Sequence, residues 1–278
     1  MASGSGGTRE GGQPEGSGRH ATGPSVAVAV PAYNEADGIG GFLVEIDSAL
    51  SPHVGALRFV VVDDASTDDT LASLERIRER LTGDLEVVPS PVNRGHGPTL
   101  VEAYGKALEH HPDFVLQVDG DGQFHGSDLR RVLVLLIDEA QAVSGVRRFR
   151  QDPWFRMFMT RLVRRYVEGS FAVRARDPNC PLRGYKSALL AELIGGLPPR
   201  CLVPNLYLTV LASRRGVASV EVDVSHRVRR GVSAEGTTWK GGARSPVPWR
   251  LIRFSFQALR ESRRFRSGLG TPDWARSR

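Results

Sequence analysis

The sequence predicts an α/β fold: a mostly parallel sheet covered by helices on both faces. Short, uninterrupted apolar runs rich in Val alternate with segments of helical periodicity through the first half of the chain. A strand buried on both faces reads as such a run, and parallel neighbours need a helical crossover between them. A cluster of Asp, Asn and Gly follows each strand, at the edge where doubly covered sheets gather their ligands.

The elements follow in order. "VAVAV" (26–30) is the first strand and "IGGFLVEIDSAL" (39–50) the first helix. "RFVVV" (58–62) is the second strand, with a helix opening near Ser66–Asp68, residues suited to an N-cap. "LEVVP" (85–89) is the third strand, and "TLVEAYGKALEHH" (99–111) a helix that stops before Pro112. "DFVLQV" (113–118) is the fourth strand, then come a helix from about Ser127 and a strand "AVSGV" (142–146). In the less regular second half, 154–168 reads as an Arg-rich helix and "RDPNCPLRGY" (176–185) as a loop broken by Pro178 and Pro181. Residues 205–215 read as a helix, 217–224 as a strand and 249–260 as an amphipathic helix.

At 278 residues, 40% hydrophobic and 24% charged, the chain has the make-up of a soluble globular protein with one large domain. Residues 1–24 form a Gly/Ser-rich tail without the apolar run of a secretory signal, 25–233 the main domain and 234–278 a basic C-terminal segment. The longest uncharged apolar run, "VLVLLI" (132–137), is far short of the roughly 18 residues of a membrane-spanning helix, so a cytoplasmic protein, free or peripheral on the inner face of the membrane, is expected. Cys180 and Cys201 have no metal-ligand spacing and read as reduced thiols.

The net charge of +6 is concentrated at the end. From Lys240 onward there are ten basic residues against Glu261 and Asp273, so this stretch alone carries +8. No aromatic interleaving accompanies the arginines, which argues against nucleic acid as a partner. Trp249, Ile252, Phe256 and Leu259 fall at helical spacing beside Arg250, Arg253 and Arg260. Such a helix either meets an anionic membrane at its surface or docks on the catalytic domain.

Four motifs follow the four strands: "VPAYNEADG" (30–38), "VVDDASTDDT" (61–70), "NRGHGPTL" (93–100) and "DGDGQ" (119–123). Singly each is a plausible turn, since Asp, Asn and Gly are turn residues. Asp68 and Asp69 read as a helix cap. Asn93, Gly95 and Gly97 read either as a strand–helix turn or as a phosphate-facing loop. Two carboxylates one residue apart at a strand end repel each other unless a cation lies between them. An EF-hand loop would need Gly and Glu where Phe124 and Arg130 stand. A haloacid-dehalogenase-like phosphatase carries a similar acidic pair, but after its first strand, and is kept as the alternative from another class.

Taken together and in this order, the motifs resemble the family-2 glycosyltransferases, whose catalytic domain has the GT-A fold. The nearest pattern is the dolichyl-phosphate mannose synthase-like group of polyprenyl-phosphate glycosyltransferases. "SGVRRFR" (144–150), "DPNCPLRGY" (177–185) and "HRVRRGVS" (226–233) carry that resemblance in the second half. It implies an inverting enzyme that takes a sugar from a GDP- or UDP-linked donor. Asp119, Asp121 and Gln123 would surround a Mg²⁺ or Mn²⁺ gripping the diphosphate, with Gly120 allowing close backbone approach. Pro31, Tyr33 and Glu35 would border the nucleotide and Asp64 would accept hydrogen bonds from the base. Arg147, Arg183 and either Arg227 or Arg229 would meet diphosphate or phosphate, for which the planar guanidinium is suited.

The expected acceptor follows from an absence. Transfer to a hydroxyl needs a general base, whereas a phosphate is already anionic. Many relatives place an acid before the helix that follows the acceptor loop, and "CLVPNLYL" (201–208) has no carboxylate there. Polyprenyl phosphate is therefore the expected acceptor. The alternative is a soluble family-2 enzyme acting on a small-molecule or protein hydroxyl, with Asp177 as the base.

Overall fold

The computed structural model describes residues 23–147, 154–225, 227 and 249–269. Seven strands form one sheet in the order β3-β2-β1-β4-β6-β5-β7. The strands are β1 (Ser25–Ala32), β2 (Ala56–Asp63), β3 (Asp84–Pro89), β4 (Phe114–Gln117), β5 (Ala142–Arg147), β6 (Arg183–Lys186) and β7 (Val220–Val224). All run parallel except β6, which lies antiparallel between β4 and β5. The helices are α1 (Ile39–Leu50), α2 (Thr70–Ile77), α3 (His96–Glu109), α4 (Gly126–Ile137), α5 (Trp154–Phe171), α6 (Ser187–Ile194), α7 (Pro204–Arg214) and α8 (Trp249–Gly268).

Successive strand side chains point to opposite faces, and β1 shows the consequence. Val26, Val28 and Val30 pack with Phe42 and Ile46 of α1 and Leu133 of α4. Ala27 and Ala29 face the other way, among Leu100 and Tyr104 of α3, Leu190 of α6 and Leu208 of α7. Helices thus cover both faces, as the continuous apolar strands required.

Two elements depart from the expectation. Residues 183–186, the first three of them expected at the end of a loop, form the strand β6 in the middle of the sheet, and α6 follows it directly. A four-residue strand opening on Arg-Gly is held by its two neighbours, not by its own propensity. The C-terminal helix, expected to close near Arg260, continues to Gly268 and docks on the domain. Phe265 packs 4.3 Å from the Tyr207 ring, and the Tyr166 hydroxyl donates to Ser262 Oγ at 3.1 Å. The opposite side of α8 keeps Arg253, Arg260 and Phe256 exposed.

Candidate active site

Strand order reverses at β1, which pairs with β2 on one side and β4 on the other. A crevice opens at such a point beyond the carboxyl ends of the strands. The loop after β1 enters it from one side and "DGDGQ" from the other.

The loops after β1 and β2 are stitched together. Asn34, at φ 54°, accepts from the Thr67 amide at 2.8 Å, and its own amide donates to Ser66 Oγ at 2.9 Å. Asp68 accepts from the amides of Thr70 and Ala36, at 3.0 and 3.1 Å, so this carboxylate joins the two loops as well as preceding α2. Glu35 is buried, and its amide donates to Thr70 Oγ1. Tyr33 is half-buried and Pro31 buried.

The structure gives Asp64 a task that the sequence did not suggest. It is 3% exposed, and its two oxygens accept from the amides of Arg94 (2.7 Å) and Gly95 (2.8 Å). The carboxylate therefore shapes the loop that leads into α3. Asp63 ties down Ser66 at the same strand end, a structural use. Gly95 sits at φ +86°, a left-handed backbone. Gly97 is required by proximity, because a Cβ there would stand 2.1 Å from the Cys201 carbonyl oxygen.

At the end of β4, Asp119 Oδ1 accepts from the Gln117 side-chain amide at 3.2 Å. Asp121 Oδ1 accepts from the Gln123 backbone amide at 3.1 Å, which shapes the turn, and Gly122 takes φ +68°. Gly120 donates its amide to the Pro31 carbonyl at 3.3 Å, so the acidic turn is anchored to β1 itself. No group of three or more His, Cys, Asp or Glu able to hold a metal occurs among the described residues. Two hard carboxylates with a neighbouring amide do not form a closed cage, but they fit Mg²⁺ or Mn²⁺, which keep waters and take substrate phosphates as ligands. His96, unforeseen in the sequence, lies with Nε2 3.9 Å from Asp119 Oδ1.

The cationic candidates separate. Arg147 ends β5 on the same edge of the sheet and forks onto Asp177, with Nε to Oδ2 at 2.7 Å and Nη2 to Oδ1 at 2.9 Å. The expected phosphate ligand and the expected base are thus one bidentate ion pair. Arg183 is 1% exposed. Its guanidinium donates to the carbonyls of Cys180 (2.9 Å) and Pro178 (2.6 Å) and to Thr209 Oγ1 (2.8 Å), which makes it a tether for the 177–182 loop rather than a group presented to the crevice. Arg227 lies behind the acidic turn, donating to the Gly122 carbonyl at 2.6 Å and to Glu45 Oε2 at 2.9 Å. Its competitor for the phosphate role, Arg229, is outside the described residues.

A seven-stranded, mostly parallel sheet with an acidic turn at its switch point is the GT-A fold. Solved structures share this fold. Glucosyl-3-phosphoglycerate synthase from Mycobacterium tuberculosis superimposes with a TM-score of 0.64 when bound to Mn²⁺, UDP-glucose and phosphoglyceric acid, at 19% identity over 94% of this chain and 86% of that one. Its phosphoglyceric acid complex gives a TM-score of 0.63, at 19% identity over 88% and 81%. The profile of Glycosyl transferase family 2 matches residues 27–191, and the chain belongs to that family. It is similar to the undecaprenyl-phosphate 4-deoxy-4-formamido-L-arabinose transferases of Edwardsiella ictaluri (26% identical over 73% of this chain) and Pseudomonas syringae (25% over 84%). The chain spans 60% and 64% of the length of these two relatives. Family membership sets the phosphatase alternative aside.

Proposed function

We propose that the protein transfers a sugar, with inversion, from a nucleoside-diphosphate sugar to a polyprenyl phosphate. The carboxylate pair Asp119 and Asp121 at the switch point of a family-2 domain carries the donor half of this reading. A Mg²⁺ or Mn²⁺ held there supplies positive charge where the departing nucleoside diphosphate becomes more negative. Asp119, Asp121 and Gln123 hold that site, and Gly120 between the carboxylates packs its backbone against Ile39 and the Pro31 carbonyl, which keeps the turn close to the nucleotide. Pro31, Tyr33 and Glu35 border the nucleotide. Asp64 acts through the loop at Arg94 and Gly95.

Two observations support an anionic acceptor. The start of α7 carries Asn205 and no carboxylate. Asp177, the remaining candidate base, is engaged by Arg147. Arg147 and Arg229 are assigned to the phosphates, Asp177 to orienting Arg147, and Arg183 to holding the loop between them. The names of the undecaprenyl-phosphate transferases point to the same acceptor class. No described helix is long and apolar enough to cross a membrane, and the exposed side of α8 is the surface we assign to an anionic bilayer.

The test is transfer of labelled sugar from UDP- and GDP-linked donors to polyprenyl phosphate and to the unphosphorylated polyprenol, each in detergent. Product on the phosphate alone is expected. Equal transfer to the alcohol, or to a water-soluble hydroxyl, overturns the acceptor assignment.

A further inference from the structure

Behind the acidic turn lies a buried polar chain that the reaction as described does not use. Gln117 (0% exposed), Asn205 (2%) and Tyr104 (0%) meet between β4, α7 and α3, beside the buried Arg183 and Thr209. Asn205 Nδ2 donates to Gln117 Oε1 at 3.3 Å and lies 3.4 Å from the Cys180 carbonyl. The Tyr104 hydroxyl reaches Gln117 Oε1 at 3.5 Å and Asn205 Oδ1 at 3.4 Å. Gln117 then passes its own amide N–H to Asp119 Oδ1 at 3.2 Å. Three buried amide and hydroxyl side chains in one place cost free energy unless they are paired, so their arrangement calls for a reason.

We propose that Gln117 and Asn205 are positioning residues for the donor site: they fix which way the Asp119 carboxylate faces and so set its affinity for a divalent cation. This rests on the reading of Asp119 as a metal ligand. The polarity of the chain leaves one arrangement. An ionised carboxylate only accepts, so Gln117 must turn its NH₂ toward Asp119 and its carbonyl inward. The inward carbonyl needs a donor, and the Asn205 amide at 3.3 Å is the nearer of two, the Tyr104 hydroxyl at 3.5 Å being the other. The Cys180 carbonyl, held in place by Arg183 Nε at 2.9 Å, gives the other amide proton its acceptor. A carboxylate at residue 205 could not donate, and Gln117 would keep only the longer contact from the Tyr104 hydroxyl. The absence of an acid at the start of α7 thus has a second consequence, on the donor side of the crevice. Partners of this kind, which hold a ligating side chain without touching the metal, change affinity by about 10- to 100-fold.

The experiment titrates Mn²⁺ into the full chain in the presence of UDP or GDP and follows the free-ion EPR signal, for wild type, Gln117→Leu and Asn205→Ala. Each apo protein is melted alongside. Mn²⁺ affinity is expected to fall about ten-fold in Gln117→Leu and by a smaller factor in Asn205→Ala. Both variants are expected to melt below wild type, since each strands a buried partner. A purely structural role predicts the lower melting temperature with Mn²⁺ affinity of the folded protein unchanged, and that result overturns the proposal. If Gln117→Leu does not fold, Asn205→Ala decides the question on its own. Wild type that takes up no Mn²⁺ with either nucleotide overturns the donor-site reading and the relay with it. Wild type that binds, beside variants that bind equally well, overturns the relay alone.

Discussion

The two halves of the sheet edge treat their charged residues differently. On the side of β1 to β4, carboxylates at the strand ends are bound by backbone amides: Asp64 by Arg94 and Gly95, Asp68 by Thr70 and Ala36, Asp121 by Gln123. On the side of β5 to α7, the charges are held by one another or by the interior. Arg147 pairs with Asp177, and Arg183 is enclosed by carbonyls and hydroxyls. The first half uses carboxylates to give its loops a fixed shape. The second half buries Arg183 as an internal strut and locks Arg147 to one carboxylate. A charged residue beside a strand end therefore says little about ligand contact until its partners are known.

Arg183→Leu tests this contrast with the largest expected effect. It strands buried carbonyls and Thr209, and urea unfolding should show a loss of about 3 kcal/mol or more. If Arg183 were chiefly a substrate contact, stability would hold and only kcat/KM would fall. Asp64→Ala comes next, at about 2 kcal/mol, because two amides in the loop before α3 lose their acceptors. Nucleotide affinity should fall with it, as the loop shape goes. Unchanged stability together with lost binding would return Asp64 to the role of a direct base contact.

These cases also show what was readable in the residues. The apolar runs and the turn clusters located β1 to β4 and the crevice, since both signals are local. The strand β6 was not readable, because a four-residue segment after Pro181 becomes a strand only through pairing with β4 and β5. Arg183 beside Gly184 looked like a loop cation for the same reason. Gln117 and Asn205 are 88 positions apart, so no spacing in the sequence connects them. His96 was passed over inside a Gly-rich turn, and its distance to Asp119 appears only in space.

Two smaller effects sharpen the picture. Both cysteines are free and buried, with burial pushing the Cys180 thiol up to about 11 and Cys201 up to about 12. Neither should react with iodoacetamide at neutral pH until the chain is unfolded; labelling of the native protein would contradict this packing. At the opposite end of the sheet, Asp113 accepts from the Ser25 amide and hydroxyl, and these bonds hold its carboxyl below the usual carboxylate range. A lowered folded-state value stabilises the protein above about pH 4, and that contribution is lost as pH falls through the folded value. Wild type should therefore exceed Asp113→Ala by a fraction of a kcal/mol at neutral pH, small because the site is exposed. The gap should close in acid, as urea unfolding across that range would show.

The central claim is that Asp119 and Asp121 form a metal-dependent donor site. Thermal melting of wild type and Asp121→Ala with UDP, GDP and their sugars, each with and without Mn²⁺, addresses it directly. The account predicts a nucleotide-dependent rise in melting temperature that requires Mn²⁺ and vanishes in Asp121→Ala, because a ligand that binds only the folded state must stabilise it. A nucleotide shift of equal size without metal or in the variant, or none for any nucleotide, would contradict it.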